Sequence, residues 1–348
     1  MLKIGILGCG KITEVRHAPE YAENLSCRID AWYDYVPERA RAMANKFGGK
    51  VCETAEELIG LDLDAVSVCV ANVYHADLTI KALNAGKHVL CEKPMAVSLA
   101  ECEAMVEAAH KSGKHLMIGH NQRYAPAHQK ARSLIEAGEI GSVLSFLTTF
   151  GHSGPEIWTG AANSWFFDRS KAAFGALADL GIHKADLIHY LTGQEITEVS
   201  AFVDTLDKKY PDGAPISVDD NAVCVMRLSS GGMGVLRVSW TFYGQEDNST
   251  RIYGTKGVLR VYDDPRQSLI LERRDGTVER FELDRITTNE EQTAGQRRST
   301  GVIDAFVASI LTNTPSLAEG DEAVKAMRAI FAADRAAREG RAVKVEKG

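Results

Sequence analysis

The sequence predicts an α/β fold in two parts. Residues 1–122 read as a doubly wound parallel sheet, and residues 123–348 as an α/β domain whose sheet is mostly antiparallel. Three observations predict this. Short apolar runs alternate with helical patterns through the first 120 residues, the order that places helices on both faces of a parallel sheet. The first of these runs ends in a glycine loop, "LGCGKITEV" at 7–15. From 196 to 283 the runs are strand-like and broken by SGG, GTKG and RDGT, which are hairpin signals. A chain of 348 residues also suits two domains better than one.

The elements follow in order. "LKIGIL" (2–7) is the first strand and "RIDAWYD" (28–34) the second, closing on an acid. "PERARAMANKF" (37–47) opens with proline at the first helical position, where its missing N–H is not needed. "DAVSVCV" (64–70) is a continuous apolar run, as expected of a strand buried on both faces. "HADLTIKALNAG" (75–86) puts Leu78 and Leu83 on a helical face and stops at Gly86, a C-cap. "KHVLCEKP" (87–94), a helix from Ser98 to Ser112 and "KHLMIGH" (114–120) complete the first part. The second begins with a helix over 126–137 and the strand "SVLSFLTTF" (142–150). A loop and a helix near 175–191 follow, then the hairpins, two amphipathic helices at 301–312 and 321–339, and a short "AVKVE".

Composition limits the function. Forty Lys and Arg against 47 Asp and Glu give a net charge of −7, which argues against nucleic-acid and anionic-membrane partners. No apolar run approaches 18 residues, the length of a membrane span. "MLKIGIL" lacks the basic-then-apolar layout of a signal peptide. The seven cysteines are scattered and include no C-x-x-C pair, so a cytoplasmic protein with reduced thiols is expected.

Four motifs carry chemistry. In the glycine loop, Gly8 permits a tight turn and Gly10 lets the backbone approach a pyrophosphate, which helix N–H groups then bind. Thr13 stands where the third glycine of G-x-G-x-x-G is expected, a packing position that a small residue fills. Its hydroxyl is also within the range of an approach to the pyrophosphate. An ordinary glycine turn is the alternative for this motif alone. Asp34 ends the second strand 24 residues after Gly10, where a carboxylate binds the adenosine ribose hydroxyls and repels a 2′-phosphate. NAD is therefore expected, with NADP the less favoured cofactor.

The third motif, "CEKPM" (91–95), follows the fifth strand, at the end where open α/β sheets place ligands. Lys93 there can polarise a substrate oxygen; a solvated loop lysine is the alternative. The fourth is "GALADLGIHKAD" (175–186), in which Asp179, His183 and Asp186 are spaced i, i+4, i+7 on one helical face. Histidine is suited to take a proton from an alcohol near neutral pH, with Asp179 orienting it. A solvated helix face and a metal site compete with this reading. The stripe holds one histidine without an H-x-x-x-H partner, so no metal is assigned.

Jointly, "GILGCGKIT", "AL-NAGKHVLCEKPMA" (82–96), "GHNQRYAPA" (119–127), "GEIGSV" (138–143) and "FGALADLGIHKADLIHYLTG" (174–193) resemble the glucose-fructose oxidoreductase, inositol dehydrogenase and MocA (Gfo/Idh/MocA) family. The segments lie in the family's order and span nearly the whole chain. The resemblance implies a Rossmann domain followed by an α/β domain whose open sheet commonly forms a homodimer or homotetramer interface. It implies oxidation of a secondary alcohol of a sugar, glycoside or inositol with a nicotinamide cofactor, and a small-molecule partner. By analogy Lys93, Asp179 and His183 form the catalytic group. Gly8, Gly10, Lys11, Ile12, Asp34, Ala71, Asn72, His75, Glu92, Lys93, Asn121 and Arg123 line the cofactor. The peptide bond before Pro94 is expected to be cis, as it often is in relatives.

The chain departs from the family in two places. "ANVYH" (71–75) lacks the usual Thr-Pro-Asn, and the usual glycine pair or triplet before A-L-x-D is reduced to Phe174-Gly175. Phe174 is expected to add apolar surface near the site. "HSGPEIWTGAANSWFFDRS" (152–170) resembles the variable substrate loop, with Trp158, Asn163, Trp165 and Arg169 able to stack on or hydrogen-bond a sugar. The implied mechanism has His183 taking the hydroxyl proton, Lys93 stabilising the alkoxide and Asp179 orienting the pair. Two other functions stay open: an eliminating or glycosidase-like enzyme that oxidises transiently at C3 and retains NAD, and a non-catalytic NAD-binding regulator.

Overall fold

The computed structural model describes residues 1–161, 164–285 and 299–346. The chain divides into two compact units, Met1–Asn121 with Glu291–Val324, and Gln122–Glu290 with Lys325–Gly348.

In the first unit, six described strands form one sheet. They are β1 (Leu2–Leu7), β2 (Cys27–Tyr33), β3 (Lys50–Val51), β4 (Ala65–Val68), β5 (His88–Cys91) and β6 (Leu116–Ile118). Their order is β3-β2-β1-β4-β5-β6 and every pairing is parallel, the arrangement of dinucleotide-binding sheets. The continuous apolar run became β4, all four residues of which are buried. Its neighbours Ile4 and Ile6 on one side and Val89 and Leu90 on the other have no exposed surface.

Helix signals also acted locally. Pro37 opens α2 (Pro37–Phe47), following α1 (Ala18–Glu23) and preceding α3 (Ala55–Ile59). Helix α4 (His75–Asn84) closes at Gly86, whose N–H donates to Leu83 O at 2.9 Å while Lys87 N donates to Ala82 O at 3.0 Å. That pair of bonds, with φ +76° at Gly86, is the left-handed helix stop glycine allows. Helix α5 (Leu99–Ser112) starts where Ser98 Oγ accepts the Glu101 N–H at 3.3 Å.

The second unit carries a nine-stranded sheet among the described residues. Its strands are β7 (Val143–Gly151), β8 (Ile196–Asp204), β9 (Asn221–Leu228), β10 (Met233–Ser239), β11 (Thr250–Gly254), β12 (Gly257–Asp264), β13 (Gln267–Arg273), β14 (Val278–Phe281) and β15 (Val343–Lys344). The order is β14-β13-β12-β11-β7-β10-β9-β8-β15. Apart from the parallel β7–β10 contact, the pairings are antiparallel. Strict alternation of buried and exposed residues along β9 gives the sheet one covered and one open face.

Short helices α6 (Pro126–Glu136), α7 (Pro155–Thr159) and α8 (Arg169–Ala172) precede α9 (Ile182–Thr192). Every residue of α9 from Ile182 to Leu191 is buried. A helix buried on all sides that still carries His183, Lys184, Asp186 and His189 must find a partner for each polar group.

The expected domain boundary placed all of 123–348 in the second part. Residues from Ser299 to Val324 instead fall within the first unit. Two contacts there explain it. Thr300 donates its N–H and hydroxyl to Glu20 at 3.1 and 3.0 Å, and Asn24 Nδ2 donates to Asp304 on α10 (Val302–Thr312) at 2.7 Å. The helix α11 (Gly320–Glu339) follows. Among the described residues, no helix is long and apolar enough to cross a membrane.

Candidate active site

The glycine loop leaves β1 at Gly8, where φ is +94° and a Cβ would stand 2.4 Å from Cys69 O. Both facts require glycine. Gly10 differs: its φ is not positive, and no atom lies within 4 Å of where its Cβ would be. The backbone there is open to an approaching phosphate, and Lys11 and Ile12 follow in helical conformation. Thr13 begins a π-turn, Thr13–His17, that leads into α1; such single turns recur at functional sites. Its side chain has no exposed surface, and Oγ1 donates to Gly8 O at 2.7 Å.

The Thr13 hydroxyl therefore braces the loop from beneath, which corrects the expectation that it reaches the pyrophosphate. Thr13→Val is expected to lower stability by about 1–2 kcal/mol, the cost of leaving a buried carbonyl short of a donor. Calorimetric melting would report this, and titration should find the NAD dissociation constant nearly unchanged.

Asp34 sits just beyond β2 and is half-buried. Its Oδ2 accepts Cys9 N at 2.6 Å and its Oδ1 accepts Val36 N at 2.7 Å. Each carboxylate oxygen keeps a further lone pair for a ribose hydroxyl. Asn121 supplies another sign of fit, because its Oδ1 is buried with no hydrogen-bond partner among the described residues. Open space at Gly10, the acid after β2 and this orphaned acceptor suit a nicotinamide dinucleotide.

Ala71 precedes a short 3-10 turn, Asn72–Tyr74, in which Asn72 is buried. His75 is buried too, and its ring nitrogens meet Pro94 O at 2.8 Å and Val70 O at 3.1 Å. Burial outweighs these two carbonyls and lowers the His75 pKa. The ring ties the turn after β4 to the turn after β5.

The Lys93–Pro94 peptide is cis, and Lys93 is half-buried. Its N–H donates to Glu92 Oε2 at 3.2 Å, while Glu92 Oε1 meets His17 Nε2 at 2.8 Å. Burial would raise the Glu92 carboxyl, but the His17 hydrogen bond and charge, helped by Lys93 and Arg16, hold it at about 2. Burial likewise opposes a charged His17; the neighbouring Cys69 and Glu92 outweigh it and raise the His17 pKa well above its ordinary value. Glu92 is thus anchored through a histidine that the sequence left unmarked, since a lone histidine in a helix carries no spacing signal.

In the second unit the helical motif starts with a close approach. A Cβ on Gly175 would stand 1.7 Å from Asp219 O. The Asp219 carboxylate accepts Gly175 N at 2.8 Å and Leu177 N at 2.7 Å. The surviving glycine of the family's cluster is therefore the one that packing demands. Phe174 meets Phe331 of α11 edge-on with centroids 5.7 Å apart, so this ring takes part in helix packing.

The next five residues, Leu177–Gly181, form a second π-turn, and it carries Asp179. Asp179 is 9% exposed, and its Oδ2 accepts Trp240 Nε1 at 3.1 Å. His183 is 7% exposed and lies against Phe150 at 5.8 Å. Asp186 departs from the expected trio. It forms a bidentate pair with Arg123, Nε to Oδ2 at 2.8 Å and Nη2 to Oδ1 at 2.7 Å, both side chains nearly fully buried. Arg123 also lies 5.5 Å from the Tyr190 ring. The guanidinium that the resemblance places at the cofactor thus also holds a buried ion pair.

Lys184, unmarked by the sequence motifs, has no exposed surface and donates to Asn248 O at 3.0 Å; burial pulls its pKa down to about 7. Around the expected substrate loop, Trp165 stacks on Phe166 at 4.1 Å and Trp158 meets it edge-on at 5.9 Å. Arg169 Nε donates to Ser217 O at 2.9 Å. Asn163 lies outside the described residues.

A six-stranded parallel sheet of this order, with a phosphate-ready glycine loop and an acid after β2, defines a nicotinamide-dinucleotide oxidoreductase. Residues 2–120 match the family described as "Oxidoreductase family, NAD-binding Rossmann fold", and residues 128–260 match "GFO/IDH/MocA C-terminal domain". The chain belongs to the Gfo/Idh/MocA oxidoreductase family. Myo-inositol 2-dehydrogenase of Thermotoga maritima is 28% identical over 364 residues, covering 99% of this chain and 99% of that protein. Levoglucosan dehydrogenase of Pseudarthrobacter phenanthrenivorans is 32% identical over 246 residues, 64% of this chain and 62% of its own. The crystal structure of aldose-aldose oxidoreductase from Caulobacter crescentus, complexed with glycerol, superposes with a TM-score of 0.82 at 29% identity, over 99% of each chain.

Proposed function

We propose that this protein is an NAD-dependent dehydrogenase that oxidises a secondary alcohol of a sugar, glycoside or inositol. The observation that carries this is the near-burial of Asp179 and His183, four residues apart at the start of α9, where a solvated helix face would leave both exposed. Relatives named for myo-inositol and levoglucosan support the substrate class. When bound, NAD supplies the hydride acceptor.

The chain's own residues supply the rest. Gly8, Gly10 and Asp34 hold the dinucleotide, and the Asp34 carboxylate disfavours a 2′-phosphate. His183 Nε2 takes the hydroxyl proton, Asp179 orients the imidazole, and Lys93 Nζ donates to the oxygen as it gains charge. The test is to mix the purified protein with NAD and a panel of inositols, sugars and glycosides. NADH accumulating with one of them is the expected result. Cleavage of a glycoside with no net NADH would overturn the proposal, as would NAD binding without turnover of any substrate.

The open sheet face supports self-association. Phe202 on β8 is 86% exposed and pairs across the strands with Val223, while Val225 on β9 is 51% exposed opposite Val235, itself opposite Leu147 on β7. A contiguous apolar face of this kind marks an interaction surface, and a homodimer or homotetramer through it is the proposed assembly. Val225→Asp should shift the protein to monomer in analytical ultracentrifugation, because a carboxylate buried at such a contact has no partner.

A further inference from the structure

We propose that Trp240 is a positioning residue for the reaction, holding the Asp179 carboxylate through its indole N–H and coupling it to the aromatic loop that precedes α8. This rests on the functional reading above, in which Asp179 and His183 serve the chemistry.

Trp240 follows directly on β10 and has no exposed surface. Its backbone N–H donates to Asp220 O at 2.8 Å, and its Nε1 donates to Asp179 Oδ2 at 3.1 Å. An indole offers one donor and no acceptor, so the Asp179 oxygen is the accepting partner. The other side of the ring carries the loop. Phe166 meets it edge-on at 6.4 Å and Phe167 lies at 6.0 Å, with Trp165 stacked on Phe166 in turn. A buried tryptophan that packs only for volume has no need to aim its one polar atom at a carboxylate. Here that atom meets the acid of the D-x-G-x-H motif, and it does so on a π-turn, where the helix's own hydrogen-bond ladder is loosened.

Other titratable groups of this region are engaged elsewhere. Asp219 accepts the Gly175 and Leu177 N–H groups, Asp220 accepts those of Leu206, Asp207 and Lys208, and Lys184 donates to Asn248 O. His183 lies on α9, and His152 lies edge-on to Phe150 at 5.9 Å. The indole N–H that donates to Asp179 Oδ2 is neutral, so removing it adds or deletes no charge.

The experiment compares Trp240→Phe with His183→Ala on the NAD-loaded enzyme and its best substrate. Phenylalanine keeps much of the ring packing and removes the N–H. The expected result is a kcat loss of about 10-fold or more, from a lost hydrogen bond to a charged group, with KM within about 3-fold. A purely structural role would lower the melting temperature and leave kcat in place; that outcome, with His183→Ala inactive, overturns the role of Trp240 alone. A His183→Ala enzyme with near-wild-type turnover overturns the functional reading instead.

A second measurement covers failure of the variant to fold. In the wild-type protein labelled with 15N-tryptophan, one indole N–H resonance should shift in Asp179→Asn. If no indole resonance changes in Asp179→Asn, the proposal is overturned.

Discussion

His183→Ala is expected to lower kcat by about 10²–10⁴-fold, the range that general-base catalysis contributes, while NAD still binds. The two effects separate because the proposed dinucleotide groups and the proposed base lie on different parts of the chain: Gly8, Gly10 and Asp34 just beyond strands of the parallel sheet, His183 on α9. His183 is well placed for a single task. Its helix is buried along ten consecutive residues, its ring is packed against Phe150, and Asp179 precedes it by one turn. The companion change, Lys93→Met, keeps the length of the side chain and removes its charge. It should cost about 10²-fold or more in kcat, as loss of one donor to a developing oxyanion does. Pre-steady-state turnover with substrate deuterated at the carbinol carbon would check both. In each variant the isotope effect should persist while the rate falls, because the chemical step has become slower. Normal turnover in His183→Ala would end its assignment as the base.

Asp186→Asn is expected to have the largest effect on stability, about 3–5 kcal/mol, since it removes the charge from a buried ion pair. Arginine cannot shed its proton as a buried lysine or histidine can. The guanidinium of Arg123, 4% exposed and bidentate to Asp186, would therefore stay charged in a site that excludes water. Denaturant unfolding measures the loss. The same pair makes a second variant informative. If Arg123 served the cofactor, as the family resemblance implied, Arg123→Met would weaken NAD binding in proportion to its effect on turnover. Its place in the pair predicts instead a loss of folding stability with NAD affinity nearly intact. Replacing both residues with apolar ones of similar volume should recover much of the loss, because desolvating two charges costs nearly as much as their attraction returns.

The parts of this molecule that were legible in the sequence are those decided by neighbours. The buried run at β4, Pro37 at the start of α2, Ser98 at the start of α5 and Gly86 at the end of α4 each act within a few residues. Asp34 was legible because the apolar run that forms β2 closes on it. The partners of the motif residues were not legible, because sheet order brings them together across long stretches of chain. His17 meets Glu92 across 75 residues, Arg123 meets Asp186 across 63, and Trp240 meets Asp179 across 61. No pattern in either member of such a pair announces the other. The boundary after residue 122 missed the segment from Ser299 to Val324 for the same reason: its amphipathic helix says that a face is buried, without saying against what. Residue type still narrowed the choice. A carboxylate, a histidine and a lysine were singled out from motifs, and the two acids among the helical trio then went to different partners.

The π-turn at Leu177–Gly181 also bears on the chain's tolerance of changes in length. A helix acquires such a turn by taking in one extra residue, which swings everything before it by about 100° around the axis relative to everything after. Asp179 owes its bearing relative to α9 to that surplus residue. Point substitutions leave this offset alone, whereas loss of a single codon between 177 and 181 would turn the acid away from its partner. The spacing of D-x-G-x-H is therefore a constraint on length as well as on residue type, and a one-residue deletion here is expected to disturb the site more than a conservative substitution at Leu177 or Leu180.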